Sequence, residues 1–229
     1  LHQGPLVATF HQPAERLLQL GLPKWMDRLS AAITLDDHQA EQLRKHTQVP
    51  VHALRLGIDT EWWRPAPLRR EPRILVVGQP QRDFALLLEV TRRMPRVDFD
   101  LVGIGRAAAR RSWPANVTVH ARLSDEALRE LYQRTGCVYF PLKAASANNA
   151  LLPALATAAP IVASNLPSLR SYAPNASYID GQDAVTHRER LEHMLEKRHE
   201  PREAGAQAFD WERGAEAHQE LYRGLIQQR

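Results

Sequence analysis

The sequence predicts an α/β protein with a doubly wound parallel sheet, preceded by part of a second, smaller α/β lobe. Three observations carry this reading. From residue 73 onward one unit recurs, a short apolar run, a turn and an amphipathic stretch. The runs show little polar alternation, as expected of strands buried on both faces of a parallel sheet. A stretch at 62–72, WWRPAPLRREP, carries three prolines and no periodicity, and so reads as a linker between two units.

Before the linker, LVATF (6–10) and AAITL (31–35) read as strands, 37–46 as a helix and VHALRLGI (51–58) as a further strand. After it the runs are ILVVG (74–78), FDLVG (99–103), VTVHA (117–121), CVYFP (137–141), PIVAS (160–164) and ASYI (176–179). Helical stretches fall near 83–93, 125–135, 149–158 and 166–172. Ser124 before Asp125, Glu126 and Ala127 supplies a capping hydroxyl and first-turn acids. Beyond about 183 the chain is helical and polar, and Trp211, Leu221, Tyr222 and Leu225 can form one apolar stripe.

Composition narrows the function classes. At 229 residues and 44% hydrophobic the chain can bury a core, and disorder is excluded as a description of the whole. A single cysteine, Cys137, excludes an internal disulfide framework and any multi-cysteine metal site, and its apolar setting reads as a small buried hydrophobe. The ten histidines form neither HxH nor HExxH, and no G-x-S-x-G is present. Of the 30 basic side chains only four are lysines, and net charge is +4. The arginines lie scattered among acids, as in RREPR, and read as solvated surface with one local phosphate site rather than a nucleic-acid stripe. No run reaches the roughly 18 apolar residues of a membrane span and no signal-peptide pattern opens the chain, so the expectation is a soluble, cytoplasmic protein. Leu1 in place of Met leaves open a fragment.

Candidate binding residues stand at the carboxyl ends of the expected strands, where open α/β sheets take ligands. Gly78 permits close backbone approach, and Arg82 beside a helix start adds a cation suited to a diphosphate; Asp83 as a helix cap with Arg82 on the surface is the structural alternative. Ala145-Ser146-Ala147-Asn148-Asn149-Ala150, with Lys143 just ahead, offers a second open helix start. Gly103-Ile104-Gly105 matches the dinucleotide fingerprint loosely, a tight turn being the plainer reading. His11 follows the first strand directly.

Together VATFH, AITLDDHQAEQLRK, VHALRLGIDTEWWRP, ILVVGQPQRDFALLLEV, FDLVGIGR, ARLSDEALRELYQRTGCVYFPL, ANNALLPALATAAPIVAS and FDWERGAEAHQELY resemble the retaining glycosyltransferases of family 4. The resemblance implies the two-lobed GT-B fold, with 1–61 a partial N-terminal lobe, 62–72 the linker, 73–208 a Rossmann-like donor lobe, and 209–229 a terminal helix packing back toward the first lobe. It implies transfer of a sugar from a nucleotide-diphosphate sugar to a hydroxyl of a glycan, lipid or small molecule, with no cofactor beyond that co-substrate, no metal and no nucleic acid. By position Gly78 and Arg82 would face the diphosphate, Gly103, Gly105, Arg122 and Leu123 would border the base, and Lys143 would count among the donor-binding residues. Asn148 and Asn149 would present N–H groups to phosphate or sugar, and His11 would stand at the sugar as the catalytic residue.

Four features depart from the family pattern. The usual arginine after the glycine is Gln79, and the two customary glutamates, eight residues apart, are Ala145 and Pro153. Losing a carboxylate that accepts from two ribose hydroxyls removes roughly 1.5–3 kcal/mol, about 10- to 100-fold in affinity. Pro153 in a helix starting near Asn149 is expected to distort its first turn. The short first lobe leaves a partner chain completing it as one possibility, and a non-catalytic glycosyltransferase-like subunit or scaffold as the rival reading. An epimerase or phosphorylase of the same fold is a third, and a peripheral position at the inner membrane face stays open.

Overall fold

The computed structural model describes residues 4–227. The first lobe is a three-stranded parallel sheet of β1 (Val7–Phe10), β2 (Ala31–Thr34) and β3 (Val51–Ala53), in that order. It is dressed by α1 (Ala14–Leu20) and α2 (Asp37–Arg44). Asp36 caps α2 by accepting from the Gln39 amide at 2.8 Å. The strand expected over 51–58 ends at Ala53, because Leu56 and Ile58 turn away to pack on the core of the second lobe. Helix α1 was not expected, for AERLLQL makes only two turns and has no side-chain cap.

The second lobe has strand order β6-β5-β4-β7-β8-β9, all parallel. Its strands are β4 (Glu71–Val77), β5 (Asp98–Val102), β6 (Val117–His120), β7 (Thr135–Phe140), β8 (Ile161–Ser164) and β9 (Ser177–Ile179). Each expected run is a strand to within three residues, although β4 begins inside the presumed linker. The connecting helices are α3 (Phe84–Arg93), α4 (Gly105–Ala109), α5 (Asp125–Arg134), α6 (Leu151–Ala156) and α7 (Pro167–Tyr172), followed by α8 (Ala184–Glu196) and α9 (Trp211–Gln227). Helix α4 occupies what reads in sequence as a turn, since five residues are too few to show a period. Helix α6 is shorter than expected at both ends, and α9 starts two residues later.

Side chains alternate between two cores, as the pleat requires. Ile74 and Val76 of β4, with Cys137 and Tyr139 of β7, face α3 and α8; Leu75, Val138 and Phe140 face α5 and α6. Cys137 is fully buried, and burial pushes its thiol up to about 12, so it is the inert hydrophobe expected. Ser124 caps α5 through the Ala127 amide at 3.2 Å. Asp83 caps α3, accepting from Ala85 and Leu86 at 3.1 and 3.0 Å.

One buried polar pair carries a pH prediction. His187 is fully buried; its Nδ1 lies 2.7 Å from the Tyr139 hydroxyl and its Nε2 3.2 Å from the Gly181 carbonyl. The carbonyl can only accept, so Nε2 carries the proton, Nδ1 accepts from Tyr139, and the ring is neutral. Burial holds its pKa below the ordinary 6.5. As pH falls through that ordinary value the unfolded chain gains a proton that the folded chain refuses, so stability declines, by up to about 1.4 kcal/mol per pH unit. Urea unfolding between pH 7 and 5 should show the decline, and a Tyr139→Phe/His187→Leu double variant should flatten it; an unchanged slope would exclude His187 as its source.

The lobes meet along a seam. The Tyr172 hydroxyl accepts from the Leu56 amide at 3.0 Å and donates to the Leu35 carbonyl, while Ser146 Oγ donates to the His11 carbonyl at 2.8 Å. Ile58 pairs with the chain entering α9, donating to Phe209 O at 2.8 Å and accepting from the Trp211 amide at 3.2 Å. The start of α9 thus lies against the lobe junction, yet none of its residues is buried; of the expected stripe Leu221 and Leu225 are half-buried, while Trp211 and Tyr222 are exposed, at 57% and 43%.

Candidate functional site

The order of strands reverses between β4 and β7, and at their carboxyl ends a cleft of about 690 Å³ opens toward the first lobe. Gly78 follows β4 with φ +89°, a conformation that any side chain would strain, and its amide donates to Val102 O at 2.9 Å. The next loop is zipped to the one after β7: the Asp83 amide donates to Pro141 O at 2.8 Å, and the Lys143 amide to Gln81 O at 2.9 Å.

These bonds place Arg82 on the wall of the cleft and turn it inward. It is only 6% exposed, so the alternative of a surface arginine is corrected, although Asp83 is the cap that alternative required. Its guanidinium lies 5.0 Å from the Phe140 ring centroid, and Nη2 donates to Val77 O. Nε and Nη1 are buried without any partner. Asp83, the neighbouring carboxylate, is engaged by its own cap and lies 3.7 Å from Lys143 Nζ. Burial lowers the Arg82 pKa to about 10, which still leaves it charged at pH 7. An unpaired buried cation with free N–H groups is costly by several kcal/mol, and an anion in the cleft would relieve that cost.

The remaining polar groups stand around it. His11, exposed, and Gln12 enter from the first lobe, and Gln81, Ser146, Asn148 and Asn149 from the second. Asn148 folds its Oδ1 back to the Ala150 amide at 3.0 Å, so its side chain caps its own loop. Pro153 also lines the cleft, but it does not distort the helix. α6 begins at Leu151, so proline is its third residue, where no intrahelical N–H is required, and its carbonyl accepts from Thr157 N at 3.0 Å. No carboxylate is among the lining residues, and Ala145 leaves that side open.

Other expected residues lie elsewhere. Lys143 borders a neighbouring cavity of about 670 Å³ with Arg16 and His38. Gly103 and Gly105, at φ +64° and +76°, form the turn after β5, and the Gln79 side chain lies over it; a Cβ at Gly105 would stand 2.3 Å from Gln79 Oε1. Arg122 is exposed, Leu123 packs against the core, and neither lines the cleft. Sequence reading missed the apolar wall of Leu56, Ile58, Trp63, Leu128 and Tyr132. Trp63 sits in the supposed linker and meets Tyr132 edge-on at 5.6 Å, and the Tyr132 hydroxyl donates to Ala150 O at 2.9 Å. Among the described residues, no group of three or more His, Cys, Asp or Glu converges as a metal site, and no helix is long and apolar enough to cross a membrane.

Against curated protein sequences the chain finds no match. Among solved structures it is similar to sucrose-phosphate synthase from Thermosynechococcus elongatus, with TM-score 0.83 at 18% identity over 97% of this chain and 68% of that one. It is similar also to Anabaena HepE in complex with UDP-glucose, with TM-score 0.80 at 14% identity over 96% and 72%. The GtfA/B complex gives TM-score 0.58 at 13% identity over 88% of this chain and 46% of that one. These likenesses establish the fold, a GT-B arrangement of which the chain spans a part. From the first residue of β4 to the last of α8 the chain also matches the family model described as "Glycosyl transferases group 1", at residues 71–196, and it belongs to that family.

Proposed function

We propose that the cleft binds a nucleotide-diphosphate sugar and that the chain, alone or with a partner, transfers the sugar to an acceptor hydroxyl. The carrying observation is Arg82, a buried cation with two unpartnered nitrogens on the wall of a cleft at the sheet's switch point. A departing diphosphate gains negative charge as its bond to the sugar breaks, and a fixed, desolvated guanidinium stabilises such charge more than a solvated one does. Gly78 leaves the backbone open beside it, and His11, Asn148 and Asn149 face the region left to the sugar. HepE, a structure holding UDP-glucose, has this fold. Calorimetric titration with UDP-, GDP- and ADP-glucose tests the proposal: micromolar to millimolar binding of one of them supports it, and binding of none at millimolar levels sinks it.

A second reading, a non-catalytic subunit, is favoured by the absence of any carboxylate on the cleft wall. The first lobe also leaves Leu6, Leu20 and Trp25 exposed at 45%, 64% and 46%, surfaces that a partner chain could cover. Pro153→Glu separates the two. Glutamate suits the first turn of α6, and a restored ribose contact should tighten UDP binding roughly 10- to 100-fold. No gain in a folded variant supports the subunit.

A further inference from the structure

At the opposite end of the six-stranded sheet from the cleft, a cavity of about 420 Å³ is walled by Arg69, Arg70, Arg134 and Arg198, with Glu71 as the one carboxylate. It forms where the chain enters β4 and where α5 and α8 end. Part of this charge has a structural use. Arg70 donates to the carbonyls of Tyr132, Gln133, Thr135, Thr157 and Ala158 at 2.8–3.2 Å, closing the carboxyl ends of α5 and α6. Arg134 is held by Glu71 at 3.3 Å and Glu130 at 2.8 Å, and Glu71 is shared with Arg73 at 3.4 Å.

The rest is unanswered. Arg70 has carbonyls but no carboxylate partner, and burial together with the charge of Arg202 lowers its pKa to about 10. Arg198 donates from Nη1 to Leu195 O at 2.7 Å, while its Nε is buried with no partner. Arg69 is exposed and makes no ion pair among the described residues. Desolvation, and then the charges of Arg198 and Arg69, hold the pKa of the neighbouring His199 below its ordinary value. Guanidinium groups gathered around a cavity with one shared acid offer fork-like donors to the oxygens of a tetrahedral phosphate anion.

We propose that this cavity is a binding site for a phosphate monoester or diester, separate from the cleft, with Arg69 and Arg198 as its free ligands. The group could be carried by a soluble phosphorylated molecule or by an anionic lipid headgroup, and the two sources are distinguished below.

The test uses inorganic phosphate in calorimetric titration against chloride at matched ionic strength. Arg82→Met, whose cleft has lost its cation, should still show saturable uptake, and adding Arg69→Ser/Arg198→Ser to it should weaken that uptake at least roughly tenfold. Arg69→Ser alone, at an exposed position, should retain the fold and show a smaller loss. No saturable binding in Arg82→Met, or binding that persists there after Arg69→Ser/Arg198→Ser is added, overturns the proposal. Co-sedimentation with phosphatidylglycerol vesicles then assigns the source. Binding that inorganic phosphate competes away and the double variant lacks supports the site as a headgroup site; phosphate uptake without vesicle binding supports it as a site for a soluble ester.

Discussion

Replacing Arg82 by methionine is expected to raise the melting temperature of the ligand-free protein while sharply weakening its affinity for UDP. Methionine follows the same inward path over Phe140 without a charge. The substitution gives up the bond to Val77 O and the contact with the Phe140 face, each about 1 kcal/mol. It relieves an unpaired buried cation, a cost of several kcal/mol. A net gain of about 1–2 kcal/mol should appear as roughly 2–8 °C in thermal unfolding. Affinity should move the other way, by roughly 100-fold for the loss of charge-assisted bonds to the diphosphate. Opposite signs in the two measurements are the signature of a residue kept for a ligand. Destabilisation with unchanged titration would make Arg82 a brace of the β4 and β7 loops and nothing more.

The second large effect is expected at Gly57. Its backbone is in an ordinary conformation, so alanine costs nothing through φ; the obstacle is a neighbour. A Cβ there would stand 2.6 Å from Trp211 Cα and 2.8 Å from Trp211 Cβ, and backbone does not swing aside as a side-chain tip can. Gly57→Ala should therefore cost about 1–3 kcal/mol and break the pairing of Ile58 with the entrance to α9. Hydrogen exchange should report it as loss of protection confined to α9, since that helix buries no residue of its own. Retained protection and stability would show that the junction can be re-spaced without penalty.

What could be read in advance, and what could not, follows from the scale of each signal. The six strands of the second lobe were legible because strands buried on both faces are written as unbroken apolar runs, as in ILVV and CVYF. Ser124 was legible as a cap because its signal lies within four residues. VHALRLGI misled because Leu56 and Ile58 are apolar for another reason: they pack on the second lobe instead of continuing β3. Pro153 looked disruptive only while α6 was taken to start at Asn149; two residues of difference turn it into a tolerated third position. At the site, the sequence shows a cation at 82, but its inward course depends on loops after β4 and β7 that only the fold brings together. Trp63 was hidden for the same reason, as a linker residue whose partner, Tyr132, lies far along the chain.

The position of β4 at the centre of its sheet also orders events before the native state exists. Leu75 pairs with Val138 in β7, and the chain between them carries β5 and β6, which lie on the other side of β4. Such pairings close long loops before any contact rewards them, so folding of this lobe should be slow for its size. Until β7 arrives, one apolar edge of β4 stands unpaired and available to other chains. The strand that sets the ligand's place is thus completed late, and concentration during refolding should govern the yield of native protein more than temperature does.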